Sequence, residues 1–152
     1  MSINFCAFNK KISNVSTCQA INTWVRLVNF GRQKIDQEHW QEAATLYLLA
    51  HTICNKLSES DAKKPYYLDF YLRTQMELIF VLRKSEYPLE IEILEGNVLS
   101  YLEKLESRKL LDKPIAELIK PVTDVARSPI NLVNSWITKY LAINQARYAT
   151  RH

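Results

Sequence analysis

Residues 27–57 read LVNFGRQKIDQEHWQEAATLYLLAHTICNKL, and this stretch decides the fold. Its second half places small and aromatic side chains at four-, three- and four-residue steps, which puts them on one face of a helix. These side chains are Ala43, Tyr47, Ala50 and Cys54. Small residues let a second helix approach closely, and the aromatic ring fills the remaining space. The stretch therefore predicts two antiparallel helices joined by a polar turn at residues 35–37.

The first helix of this pair carries a matching ridge formed by Leu27, Phe30 and Gly31. The glycine removes a side chain that would otherwise hold the two helices apart. Asp36 is a suitable cap for the second helix, since a short carboxylate can accept from the first free N–H groups. The second helix is accordingly expected over residues 37–57.

The same spacing resembles one tetratricopeptide repeat over residues 24–57, with Trp40 opening its second helix. Lys34 and Asn55 depart from the family pattern. The resemblance implies a concave surface lined by the first helix, which binds a peptide or protein partner. On the family's positions, the partner-binding residues are Val28, Asn29, Arg32 and Ile35.

Composition predicts a single all-α domain over residues 1–152, with residues 1–15 and 147–152 as flexible ends. The chain is 47% hydrophobic and contains only two glycines and five prolines, which favours long helices with few turns. Prolines at the first positions of helices predict further helices over about 65–84, from 88, from 114 and over 129–148. Together with the first pair, these helices give about six helices arranged in antiparallel hairpins. Either a tetratricopeptide-like superhelix or a compact helical bundle fits this count.

The later helices have predicted buried faces. The third is apolar nearly all round and is placed at the centre. The fifth is expected to be interrupted at Pro121. Gly96 lies inside the fourth helix at a cost of about 1 kcal/mol, which indicates a close contact with another helix. The fourth helix should bury Leu89, Ile93, Leu94, Val98, Leu102 and Leu105, and the sixth should bury Ile130, Val133, Trp136, Ile137, Tyr140 and Leu141.

No motif in the sequence carries chemistry. His51 and Cys54 lie one helical turn apart, but a zinc site needs three or four ligands and no CxxC or HxxxH motif supplies the others. Neither glycine lies in a phosphate-binding loop, and no cysteine has an identifiable base. We predict a protein that is not an enzyme, with no catalytic residues, no metal and no cofactor.

The predicted function is a non-catalytic interaction module, adaptor-like or chaperone-like, that binds a protein or peptide and forms homo-oligomers if its aromatic surface is not fully buried. The alternative is a small helical nucleic-acid-binding or regulatory protein that uses basic residues around the third helix. These are Lys63, Lys64, Arg73, Arg83 and Lys84, in a chain whose net charge is only +4. No apolar run predicts a signal peptide or membrane span, so the expected location is the cytoplasm.

Overall fold

A computed structural model describes residues 17–60, 65–85 and 88–137, which are helical throughout apart from short connections. The helices are α1 (Thr17–Asp36), α2 (Trp40–Ser60), α3 (Pro65–Lys84), α4 (Pro88–Ser107), α5 (Ile115–Arg127) and α6 (130–137). No strand occurs within these ranges, and the all-α prediction is confirmed. The predicted flexible ends at 1–15 and 147–152, and the sixth helix beyond residue 137, lie outside the described residues.

Helix α3 is the centre of a helical bundle. It packs against α2, α4 and α5, and the edge of the Trp24 ring on α1 contacts Phe70 with ring centroids 5.0 Å apart. Leu78, Ile79 and Val81 are fully buried although they point in different directions around the helix. The predicted central position is confirmed for the described part of α3, which excludes the side chains of residues 65–67.

The contact between α1 and α2 follows the predicted stripe. Ala43, Tyr47, Ala50 and Cys54 are all buried. Gly31 lies against the Tyr47 ring so closely that an added Cβ would be 2.6 Å from Tyr47 Cε2. The expected ridge is wrong in one member, because Phe30 precedes the glycine on the outer side of α1 and is exposed.

The turn between α1 and α2 lies at residues 37–39, later than predicted, and α2 begins at Trp40. Asp36 is the last residue of α1 and therefore does not cap α2. The Glu38 N–H donates to the Ile35 carbonyl and the His39 N–H to the Lys34 carbonyl. Together with a φ of 58° at Glu38, this is a Schellman motif, which satisfies two carbonyls at the end of α1.

Glu38→Gly is expected to stabilise the protein, because a left-handed backbone strains any residue with a Cβ. The free energy of unfolding should rise by about 0.5–1 kcal/mol. This is less than the strain energy that is removed, because glycine also gives the unfolded chain more conformational freedom. Urea denaturation measures it. The matched control is Gln37→Gly, whose backbone is not left-handed and which should destabilise.

Helix α4 buries Leu94, Val98, Leu102 and Leu105 as predicted. Ile93 is wrongly assigned to this face, since it is 62% exposed; Ile91, two residues earlier and almost opposite on the helix, is buried in its place. Within the described residues no helix makes the close contact predicted at Gly96, because nothing beyond the backbone of α4 lies within 4 Å of where its Cβ would be. The Leu89 side chain lies outside the described residues.

Helix α5 packs against α3 and α4. Helix α5 is not interrupted at Pro121, because the following Val122 and Val125 are fully buried and stabilise its continuation. Arg83 on α3 donates from Nη1 to the carbonyls of Val125 (2.8 Å) and Ser128 (2.6 Å) and so caps α5.

On α6, Val133 and Ile137 are buried as predicted, and Ile130 packs against the core. The predicted burial of Trp136 is wrong: its side chain is 40% exposed, because it lies at the edge of the apolar face. Tyr140 and Leu141, also predicted to be buried here, lie outside the described residues.

Candidate functional site

Three polar side chains from three helices meet inside the bundle. Arg32 on α1 donates from Nε to Glu77 Oε1 (2.6 Å) and from Nη2 to Oε2 (3.0 Å). The Tyr47 hydroxyl on α2 donates to Glu77 Oε1 at 2.8 Å. Arg32, Tyr47 and Glu77 are at most 1% exposed, and we call them the buried ion-pair cluster. It joins the first hairpin to α3.

The chemistry of this cluster is structural. Taking both charges out of water costs several kcal/mol, which the bidentate geometry offsets only while both partners are present. Burial, and next the Glu77 carboxylate, raise the pKa of Tyr47, so its hydroxyl stays protonated and donates. Since no member reaches solvent, the cluster offers no surface to a substrate.

A second polar contact lies further along α2. Gln75 Nε2 on α3 is 2.7 Å from His51 Nδ1, and Asn55 Nδ2 is 3.2 Å from His51 Nε2. Burial lowers the pKa of His51 from its ordinary 6.5, and the hydrogen bond with Gln75 opposes this shift in part. The folded protein therefore favours the neutral imidazole.

Stability is expected to fall as the pH drops below about 6.5, the ordinary pKa of histidine. Because the folded-state pKa of His51 is depressed, the unfolded chain binds the proton more readily, and the stabilisation present above pH 6.5 is lost as the pH falls toward the folded value. Urea denaturation between about pH 8 and about pH 5 measures the slope. His51→Gln should flatten it. His39→Gln, at an exposed histidine, is the control and should retain it.

Cys54 is the buried cysteine of the α2 stripe. Burial raises the pKa of its thiol, so it is poorly suited to be a nucleophile, which must ionise. Its neighbour Thr74 accepts from Trp24 Nε1 and donates to the Phe70 carbonyl, both at 2.9 Å. Within residues 17–60, 65–85 and 88–137, no three histidine, cysteine or acidic side chains come together as metal ligands would.

The predicted partner-binding residues on α1 do not share a surface. Val28, Arg32 and Ile35 are buried, and only Asn29 is partly exposed. The reason is that α2 and α3 cover this side of α1, and Arg32 is held by Glu77. These three side chains therefore do not offer a docking surface, although partner binding itself stays a prediction.

The basic residues around α3 are largely engaged within the molecule. Arg73 pairs with Asp69 at 2.9 Å, Arg83 caps α5, and Lys84 Nζ lies 5.4 Å from the centre of the Trp40 ring. Lys63 and Lys64 lie outside the described residues. Of the basic turn after α4, Arg108, Lys109 and Lys113 are exposed.

The outward side of α4 is the surface that sequence reasoning missed. We define the α4 outer face by its exposed residues Glu92, Ile93, Gly96, Leu99, Ser100 and Glu103. Ile93 and Leu99 are 62% and 41% exposed. The signal in the sequence is Gly96, which predicts a close contact with another helix but does not say whether that helix belongs to the same chain.

Open grooves also lie elsewhere among the described residues, two of them of about 330 Å³ each. One lies between α2, α3 and α4, and its floor includes Leu48 and Leu82. The other lies beside α6, where Leu132 is 65% exposed. Neither brings together the converging polar groups that a catalytic or cofactor site needs.

Within the described ranges, no helix combines the length and the apolar character that crossing a bilayer requires.

Comparison with known proteins found no match of this chain to a protein-family model, to a curated protein or to a solved structure.

Proposed function

We propose that the chain is a non-catalytic interaction module of the cytoplasm, adaptor-like or chaperone-like, that binds a protein or peptide partner on its helix surfaces. The observation that carries the proposal is the exposure of large apolar side chains on helices, foremost Ile93 on α4 and Leu132 on α6. Such side chains are typical of the anchors by which helices bind other helices. The tetratricopeptide-like spacing of the first hairpin agrees with this role.

The polar interior also supports a binding role over a catalytic one. The charged and titratable groups at the centre, Arg32, Glu77 and His51, all bond to other side chains of the bundle. They contribute rigidity, which lowers the entropy that a binding surface loses when it docks. The alternative, nucleic-acid binding, depends on the exposed basic turn around Lys109, because the basic side chains described on α3 already contact other groups of the protein.

Affinity capture from a native lysate, with and without nuclease and at low and moderate salt, tests the proposal. A protein partner that stays bound after nuclease and at moderate salt is the expected result, and Ile93→Lys or Leu132→Lys should release it. Arg26→Glu, at an exposed position of α1, is the control and should retain it. Material released by nuclease from the wild type would overturn the proposal in favour of nucleic acid, and an empty capture would contradict it.

A further inference from the structure

Gly96 stands in the middle of α4 although glycine disfavours a helix. In the part of the chain that the structure describes, an added Cβ would meet no atom within 4 Å other than the backbone of α4 itself. The other helical glycine, Gly31, differs, because the Tyr47 ring occupies the space that its side chain would take. Gly96 therefore leaves an open notch on the surface, where the backbone of another helix can come close.

Exposed apolar side chains flank this notch. Ile93 lies three residues before Gly96 and Leu99 three residues after it, so each is one turn away along α4. Ser100, four residues after Gly96, is small and exposed and extends the notch by one turn. A docking helix could therefore lie close to the α4 backbone at Gly96 and contact Ile93 and Leu99 on the two sides of it. Closely packed helices interdigitate in this way.

The charge of α4 indicates the partner's chemistry. The helix carries five glutamates and one lysine, a formal charge of −4, while the whole chain carries +4. One of the five, Glu95, pairs with Arg127 of α5, which leaves the other four for a partner. Glu92 and Glu103 lie at the two ends of the outer face and are exposed. Opposite charge on the partner steers association and fixes its orientation, whereas the same face of a second copy would bring glutamates against glutamates.

From these observations we infer that the α4 outer face docks an amphipathic helix of a partner protein whose polar side is basic. Lysine or arginine side chains of that helix pair with Glu92 and Glu103, and its apolar side covers Ile93 and Gly96. This inference rests on the proposed function and names the chemistry of its partner.

Two synthetic helical peptides of about five turns test the inference, identical in their leucine-rich side but with lysines or glutamates on the polar side. Fluorescence anisotropy measures their binding to the full-length chain at physiological ionic strength. The basic peptide should bind at least about tenfold more tightly than the acidic one. Equal binding of the two peptides, or no binding of the basic one, overturns the inference.

Gly96→Leu fills the notch while improving helix propensity, so loss of binding cannot be caused by unfolding. It should weaken binding of the basic peptide at least about tenfold. Ala116→Leu, the same kind of enlargement at an exposed position of α5, should bind as the wild type does. Unchanged binding by Gly96→Leu contradicts the inference.

Analytical ultracentrifugation measures whether the chain self-associates. If the chain forms a dimer that Gly96→Leu dissociates, the α4 outer face binds a second copy, and the inference of a basic partner helix is overturned. A failure of this inference can be distinguished from a failure of the proposed function. If a lysate partner stays bound to Gly96→Leu after nuclease treatment, the interaction module stands and the α4 face is excluded.

Discussion

Arg32→Met is expected to lower the free energy of unfolding by about 3–5 kcal/mol, because it leaves the Glu77 carboxylate buried without its counter-charge. Domains of this size have total stabilities of about 5–15 kcal/mol, so the loss is a large fraction of the whole. The Tyr47 hydroxyl still donates to Glu77 but cannot replace a bidentate guanidinium. Urea denaturation followed by circular dichroism measures the change.

The matched controls separate the unpaired charge from lost packing. Arg32→Met/Tyr47→Phe/Glu77→Leu removes both charges together with the hydroxyl that donates to Glu77, and should recover to within about 1 kcal/mol of the wild type, since apolar replacements of buried ion pairs are often neutral or stabilising. Lys120→Met breaks an exposed pair with Asp124 and should cost less than about 0.5 kcal/mol. A loss below about 1 kcal/mol for Arg32→Met would contradict the burial of the ion-pair cluster.

The two glycines should respond to alanine with opposite signs. Gly31→Ala should destabilise the protein by about 1–3 kcal/mol, because its Cβ would lie 2.6 Å from the Tyr47 ring. That ring is fully buried and tied to Glu77 by its hydroxyl, so it cannot move aside cheaply. The better helix propensity of alanine, worth about 1 kcal/mol, does not compensate.

Gly96→Ala should instead stabilise by about 1 kcal/mol, since open space surrounds the new methyl group and only helix propensity changes. Thermal and urea denaturation of both variants give the two signs under the same conditions. If both substitutions stabilise, the close contact between Gly31 and Tyr47 is wrong.

The sequence predicted those parts of the fold that depend on local periodicity. The helix starts at Pro65 and Pro88 and the buried stripe from Ala43 to Cys54 are found as expected. The turn after α1 lies two residues later than the sequence predicts because Glu38 adopts a left-handed backbone, which sequence rules assign first to glycine or asparagine.

The positions of the functionally important side chains depend on contacts between residues far apart in the sequence, and the spacing of residues along one helix cannot show such contacts. The sequence predicts Arg32 as a partner-binding residue because its counter-charge, Glu77, lies 45 residues away on another helix. The apolar character of Ile93 predicts a core position, but Ile91 lies closer to the buried face of α4 and is the residue that is buried. For Gly96 the sequence indicated a close contact but not whether its partner lies within the chain or outside it.

Photo-crosslinking from position 93 tests the central claim, that the outer face of α4 binds a partner protein. A photoreactive amino acid replaces Ile93 in one variant and the exposed Ala116 on α5 in the control, and both are irradiated in the cells that make the protein. We predict a nuclease-resistant protein adduct from position 93 and none from position 116. Adducts from position 116 alone, or from neither position, would contradict the claim.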